Sequence, residues 1–532
     1  MAIPVIAQPQ NNPGPGGQGP AARAPEVFAV ASSSAPTTTK QMYDAQSHKW
    51  NPDYIFPKEY RVRLHLRGAQ PTQQKPVEWT VESVQKKFPP IKAMDYGLNR
   101  VIPAFPPGVL ITIPEPDELH ITAQFGRSRY DQKSFDMRDY LIVSFGDSFS
   151  SGQGNPDQPG IPNPAASALC ELTTLKALVP AFINKVEEIP AIGDAVEIAG
   201  DIVDDLIDGL GGAIEFFTGT DPTPHMEVEA TWMEPLAWRS SLAAPFQAAQ
   251  KINESSVARL VTFLSFAQSG AEIDEGLIKP QRTSISSKGQ IREAAAAITA
   301  MRNIRDHRGG RTVTKRVRTD RRVDMVVLSI GGNDVGFSGT LSDIATEQNL
   351  IGLITSGRAG SRANALAAVQ QQLNALPAKL DTLALELTNR LNPRAVLLLE
   401  YPIGMFDGDD KTPKAGCGVF EAAAGYIGIS KKDAEEITKF GKKLNATLKA
   451  AAAKHGWVWV DGIANDFAGH GYCSSSSWWV FAEQSCKRQD DLEGTMHPNT
   501  AGTLAVAKRI AAAAEKELTA LEANDVTAGR RS

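Results

Sequence analysis

From residue 139 onward the chain repeats one rhythm: a short apolar run, a turn of small residues, then an amphipathic stretch of helical period. The runs are Leu141–Phe145, Val261–Phe266, Val323–Ile330, Ala395–Glu400 and Trp457–Val460, and the helical stretches include Ser361–Leu391, Ser430–Lys454 and Thr500–Leu521. Strands that are apolar throughout have no solvated face, so they fit a parallel sheet covered by helices on both sides, an α/β architecture. Ligands of such sheets bind at the carboxyl ends of the strands. The turns that follow the strands are therefore the places to look: GDS after the first, QSG after the second, GGND after the third.

The chain before residue 139 obeys other rules. Residues 1–40 are rich in Pro, Gly, Ala, Ser and Gln without a period, and residues 1–57 are expected to be a disordered N-terminal segment. Strict alternation then begins. Tyr60, Val62, Leu64 and Leu66 share one strand face, Val77, Trp79 and Val81 another, and Leu119, Ile121, Ala123 and Phe125 a third. Residues 58–138 read as a small, immunoglobulin-like β-sandwich without a reactive constellation, an accessory module beside a domain at 139–525, with 526–532 as a tail. A length of 532 residues suits such a division, and a net charge of −5 excludes a polybasic nucleic-acid binder. No uncharged apolar run of about 18 residues or more is present to cross a membrane.

Two segments interrupt the α/β plan. From Val186 to Trp238 there is no Lys or Arg, while Asp194, Glu197, Asp201, Asp204, Asp205 and Asp208 punctuate apolar residues at helical spacing. This reads as an acidic helical insertion, about 171–236, serving as a packing element or as a wall of the cleft. Ahead of the third strand, Arg302, Arg305, Arg308, Arg311, Lys315, Arg316, Arg318, Arg321 and Arg322 crowd together, as a solvated face or as a seat for phosphate or for the acidic insertion. Cys170, Cys417, Cys473 and Cys486 fit no zinc spacing. Two disulfides, Cys473 with Cys486 closing a short loop, or four buried thiols both satisfy the spacing. The opening MAIPVIAQPQ has no basic and apolar leader, which fits a cytosolic chain or a mature secreted one.

Ser148, in SFGDSFSSGQG, follows the first strand and opens a helix. Alone it reads as a helix cap; as a nucleophile it needs a base and donors for an oxyanion. Asn333 in SIGGND offers a side-chain amide past the third strand, and Gly270 in AQSGAEI a closely approachable backbone N–H past the second. With the Ser148 amide they would form a three-donor hole. Among eight histidines, His497 in EGTMHPNTAG sits in a Pro/Asn loop just before the last helix, while His470 in FAGHGYC reads as structural.

GDSFSSGQG, SGA, GGND and HPN, in that order, resemble the GDSL-type esterases and lipases of the SGNH hydrolase superfamily, as do WRSSLAAP and FAGHGYC. The resemblance covers roughly residues 139–525 less the insertion, and it implies a flavodoxin-like three-layer α/β/α fold. It further implies Ser148 as nucleophile, His497 as general base, and Ser148, Gly270 and Asn333 as the oxyanion hole, with no metal or organic cofactor. Many members carry an aspartate three residues before the histidine, where this chain has Gly494. Glu493 or Asp491 could replace it, or a Ser–His dyad could be oriented by a backbone carbonyl. The implied substrate is a small-molecule or lipid ester, phospholipid included; an acylated polysaccharide bound by the sandwich is the alternative, a non-enzymatic scaffold the remote one. Secretion or the cell envelope is the expected location.

Overall fold

The computed structural model describes residues 25–33, 38–96, 108–162, 226–282, 286–308, 311–336, 359–414, 431–491 and 493–527. The alternating segments form two antiparallel sheets. One has the order Glu26–Ser33, Tyr60–Arg67, Val109–Ile113; the other has Ile91–Asp95, Val77–Ser83, Glu118–Phe125, Ser128–Asp136. Period-two patterning sends Val62, Leu64, Val77, Trp79, Leu119 and Ile121 inward, each at most 1% exposed. Register sets Trp79 opposite Ala123, so a large and a small side chain share one layer. Each buried Leu, Ile or Val contributes about 1.5–3 kcal/mol.

The expectation of a disordered segment through residue 57 is corrected. Glu26–Ser33 is a sandwich strand in register with Tyr60–Arg67. Residues 38–56 form a strap of a two-residue hairpin pairing, Tyr43–Asp44 with Lys49–Trp50, and a short helix, Pro52–Ile55. Met42, Tyr43, Trp50, Tyr54 and Ile55 are buried in the core of the α/β domain, and the Tyr54 hydroxyl bonds both the N–H (3.0 Å) and the C=O (3.1 Å) of Phe263. The strap lacks a period because its helices and strands run only two to four residues each and its aromatics are held by tertiary contacts.

The α/β domain is a five-stranded parallel sheet, with β1 (Arg138–Gly146), β2 (Arg259–Ser265), β3 (Met325–Ser329), β4 (Ala395–Leu399) and β5 (Val458–Val460) in the order β2-β1-β3-β4-β5. This is the flavodoxin-like order, in which the chain changes direction of travel between β1 and β3 and opens a crevice at their carboxyl ends. The helices that cover the sheet or open at its edge include α1 (Ser148–Ser151), α2 (Ala244–Ser255), α3 (Gln290–Ala297), α4 (Ala359–Arg390), α5 (Lys431–His455) and α6 (Thr500–Thr527). Helices α2 and α6 pack together on one face of the sheet, and α3, α4 and α5 cover the other. The sandwich enters directly into β1. Arg138, 4% exposed, bonds Asp136 (2.8 Å) and Asp525 (3.2 Å), and the Tyr60 hydroxyl donates to Asp139 (2.7 Å).

Most of the acidic insertion lies outside the described residues. Its end, Met226–Val228, pairs antiparallel with Ile161–Pro162. The basic run is a two-stranded ribbon, Thr299–Arg308 with Arg311–Asp320, paired in register from Thr299↔Asp320 to Arg308↔Arg311. Beyond it, Arg321 forms an ion pair with Asp139 at 2.7 Å. Cys473 and Cys486 are each disulfide-bonded, which excludes free thiols at these two positions. Cys170 and Cys417 lie outside the described residues, as do residues 528–532 of the expected tail.

Candidate active site

Strand β1 ends at Gly146, whose φ of +139° and whose proximity to Ser329 both demand glycine: a Cβ there would stand 2.1 Å from the Ser329 carbonyl oxygen. The chain turns at once into α1, with Ser148 as its first residue and Asp147 as its cap. Asp147 Oδ1 accepts from Phe149 N at 3.1 Å, Oδ2 accepts from the Tyr401 hydroxyl, and Asp147 N donates to Ser329 O at 3.1 Å. Burial at 1% exposure pushes its carboxyl up to about 7, against the opposing effect of the Tyr401 hydrogen bond. Asp147 is thus spent on the turn. Ser148 is 8% exposed and lines a small cavity with Phe149, Ser329, Tyr401 and Pro498.

The turn after β2 is tied to α1 by the Ser269 hydroxyl donating to Gln153 Oε1. Gly270, at φ +73°, occupies the left-handed region that glycine enters without penalty. Asn333 follows β3, and its amide donates to the Ala271 carbonyl at 3.0 Å, bringing the second and third turns together. Asp334 fastens the same two turns: it accepts from Ile273 N (3.0 Å) and from Lys379 (2.8 Å), and Lys379 also reaches Glu272 at 3.4 Å. The WRSSLAAP stretch braces α1 from outside, Ser240 N donating to Ser151 O at 2.8 Å.

His497 lies on the loop that caps α6. Asn155 joins this loop to the Ser148 segment, its amide donating to Pro498 O at 2.7 Å, and the Phe149 and His497 ring centroids are 5.4 Å apart. His497 Nδ1 bonds the Thr495 carbonyl at 3.0 Å. A carbonyl oxygen only accepts, so Nδ1 carries the proton and Nε2 is the basic nitrogen of the neutral ring. Burial lowers the ring to about 4, the Thr495 and Gly494 backbone bonds pulling the other way. No hydrogen bond joins Ser148 to His497 among the described residues, so that link is not closed in this arrangement. Such bonds are commonly long before substrate arrives.

Neither carboxylate suggested by the sequence reaches the ring. Asp491 Oδ1 is taken by Gln489 (2.6 Å) and by Glu493 N (2.8 Å), and Glu493 is exposed. Three participants escaped the sequence reading. Thr495 contributes a main-chain atom, which carries no residue signature. Asn155 and Tyr401 are polar residues just past strands or turns, a signal present in GQGN and LLLEYP but one that many surface loops share. His470 is stacked on Trp478 at 3.9 Å and its Nδ1 bonds the Ser476 carbonyl at 2.8 Å. No cluster of His, Cys, Asp and Glu able to hold a metal occurs among the described residues, and no helix among them is long and apolar enough to cross a membrane.

The chain is 32% identical to a lipase from Streptomyces rimosus over 155 residues, 29% of this chain and 49% of that protein. It is 28% identical to lipase 1 of Streptomyces coelicolor over 156 residues, 29% of this chain and 48% of that protein. The chain thus spans about half the length of the curated relatives it matches. The crystal structure of the extracellular lipase from Streptomyces rimosus aligns with a TM-score of 0.37 and 18% identity, covering 69% of this chain and 98% of that one. No family model matches the chain.

Proposed function

We propose, from the premise that this chain belongs to the SGNH hydrolase superfamily with the GDSL-type lipases and esterases, that it hydrolyses carboxylic esters through a serine acyl-enzyme. Ser148 Oγ attacks the ester carbonyl carbon while its proton passes to His497 Nε2. The oxyanion that forms is met by the Asn333 amide and the backbone N–H groups of Ser148 and Gly270. Collapse expels the alcohol, which takes the proton from Nε2. Water, giving its proton to the same nitrogen, then attacks the acyl carbon, and Ser148 Oγ leaves with that proton from Nε2 as the acid is released.

The observation that carries this reading is the Nδ1–H bond from His497 to Thr495, which sets the tautomer a general base needs, on a loop that Asn155 ties to the serine. It supports a dyad in which a backbone carbonyl stands where a carboxylate is usual. The disulfide-bonded state of Cys473 and Cys486 supports an oxidising location, secreted or in the cell envelope.

Ser148→Ala tests the assignment. Turnover of p-nitrophenyl esters of graded chain length should fall by at least about 10³-fold, and labelling by a fluorophosphonate should vanish, with the melting temperature unchanged. A variant that keeps full turnover overturns the reading.

A further inference from the structure

Tyr401 bridges the two candidate catalytic turns. It stands two residues past the end of β4, is 7% exposed, and is clamped at its main chain by Asn445, which accepts from Tyr401 N at 2.9 Å and donates to Tyr401 O at 2.9 Å. Its hydroxyl donates to Asp147 Oδ2 and accepts from Gly332 N at 3.1 Å. Asp147 immediately precedes Ser148, and Gly332 immediately precedes Asn333. One phenolic oxygen therefore links the residue before the nucleophile to the residue before the amide donor. The ring also meets Phe149 edge-on at 5.3 Å and 81°, and Phe149 in turn lies against His497.

We propose that Tyr401 is a positioning residue of the ester-hydrolysing site, whose hydroxyl fixes the separation between Ser148 and Asn333. The inference rests on the roles proposed above for those two residues. Attack at a carbonyl carbon and capture of its oxygen happen in one step, so the nucleophile and the amide must be correctly spaced before substrate arrives. A misplacement of about 1 Å in such a constellation costs on the order of 10²-fold in rate. Packing alone does not account for the hydroxyl, because a phenylalanine would fill the same space while leaving the buried Gly332 N–H without this acceptor.

Tyr401→Phe deletes the one oxygen. On a soluble p-nitrophenyl ester its kcat should fall about 10- to 100-fold with KM unchanged, and fluorophosphonate labelling of Ser148 should slow in parallel. Asp147→Asn provides a second reading if that variant does not fold: its Oδ1 still caps Phe149, while its NH2 cannot accept from the phenol. It should show the same kcat-only loss, and the double variant should be no slower than the slower single one. Wild-type kcat in Tyr401→Phe, a loss expressed in KM, or additive losses in the double variant overturn the inference. A wild-type chain that neither turns over the ester nor reacts with the fluorophosphonate overturns the hydrolase reading itself. An active wild type with an equally active Tyr401→Phe overturns only the role of Tyr401.

Discussion

His497 is held neutral far into acid, because its surroundings penalise a charged ring and its Nδ1 partner is an uncharged carbonyl. The sign of the consequence follows. A base must be unprotonated to act, its folded pKa is depressed to about 4, and kcat/KM should therefore hold down to that region and fall only below it. A pH–rate profile with its acid limb near pH 6.5 would show a ring in an ordinary setting and contradict the structure. Asn333, proposed above as a donor to the substrate oxygen, is also a tie to the Ala271 carbonyl. Asn333→Ala should lower kcat by about 10²–10³-fold, measured on the same esters. Ser148, Asn333 and His497 could be picked as candidates from the sequence because the proposed chemistry needs a hydroxyl, an amide and an imidazole, each in a turn punctuated by glycine or proline. The partner of His497 was not, since every residue has a carbonyl and only folding selects Thr495.

Among the elements, α4 does more than cover the sheet. Lys379 on its face is the cation that offsets the buried carboxylate of Asp334, and Asp334 holds the turns carrying Gly270 and Asn333. Lys379→Met leaves that carboxylate unpaired and should cost about 1–3 kcal/mol in urea unfolding at neutral pH. Burial raises Asp334 above its usual range, so its folded pKa exceeds the unfolded one. Its burial cost is absent at a pH below both values and grows as pH rises through the folded one. Removing the lysine raises the folded value further. The stability deficit of the variant should thus be larger at pH 8 than at pH 5, and an equal deficit at both would place the effect elsewhere. The strands of the sheet were readable to within about three residues, since apolar runs and helical periods are local signals. The ribbon of Thr299–Arg308 and Arg311–Asp320 was not read as strands, because its charges mask the alternation and it pairs within itself rather than in the main sheet.

At the scale of the whole molecule, the strap of residues 38–56 belongs to the core of the α/β domain. Trp50, 5% exposed, packs on Tyr43 at 5.2 Å, Tyr54 at 5.8 Å and Phe266 at 6.4 Å, and Phe266 stands just before the turn that bears Gly270. Beside it, Tyr43 and His48 both bond the buried Glu234 at 2.7 Å, and the turn that Glu234 caps accepts Ser269 N on the Ala237 carbonyl at 3.2 Å. Composition concealed this, because a few aromatics spread over a short segment make no pattern until a partner surface exists. Trp50→Ala opens a cavity between strap and sheet and should cost about 3–5 kcal/mol, the scale of other buried aromatic truncations. Urea unfolding followed through both near-ultraviolet dichroism and residual esterase activity checks it. The activity midpoint should fall together with the spectroscopic one, since the strap and the residues leading into the Gly270 turn share one core; a truncation that leaves both midpoints in place would return the strap to the status of a tail.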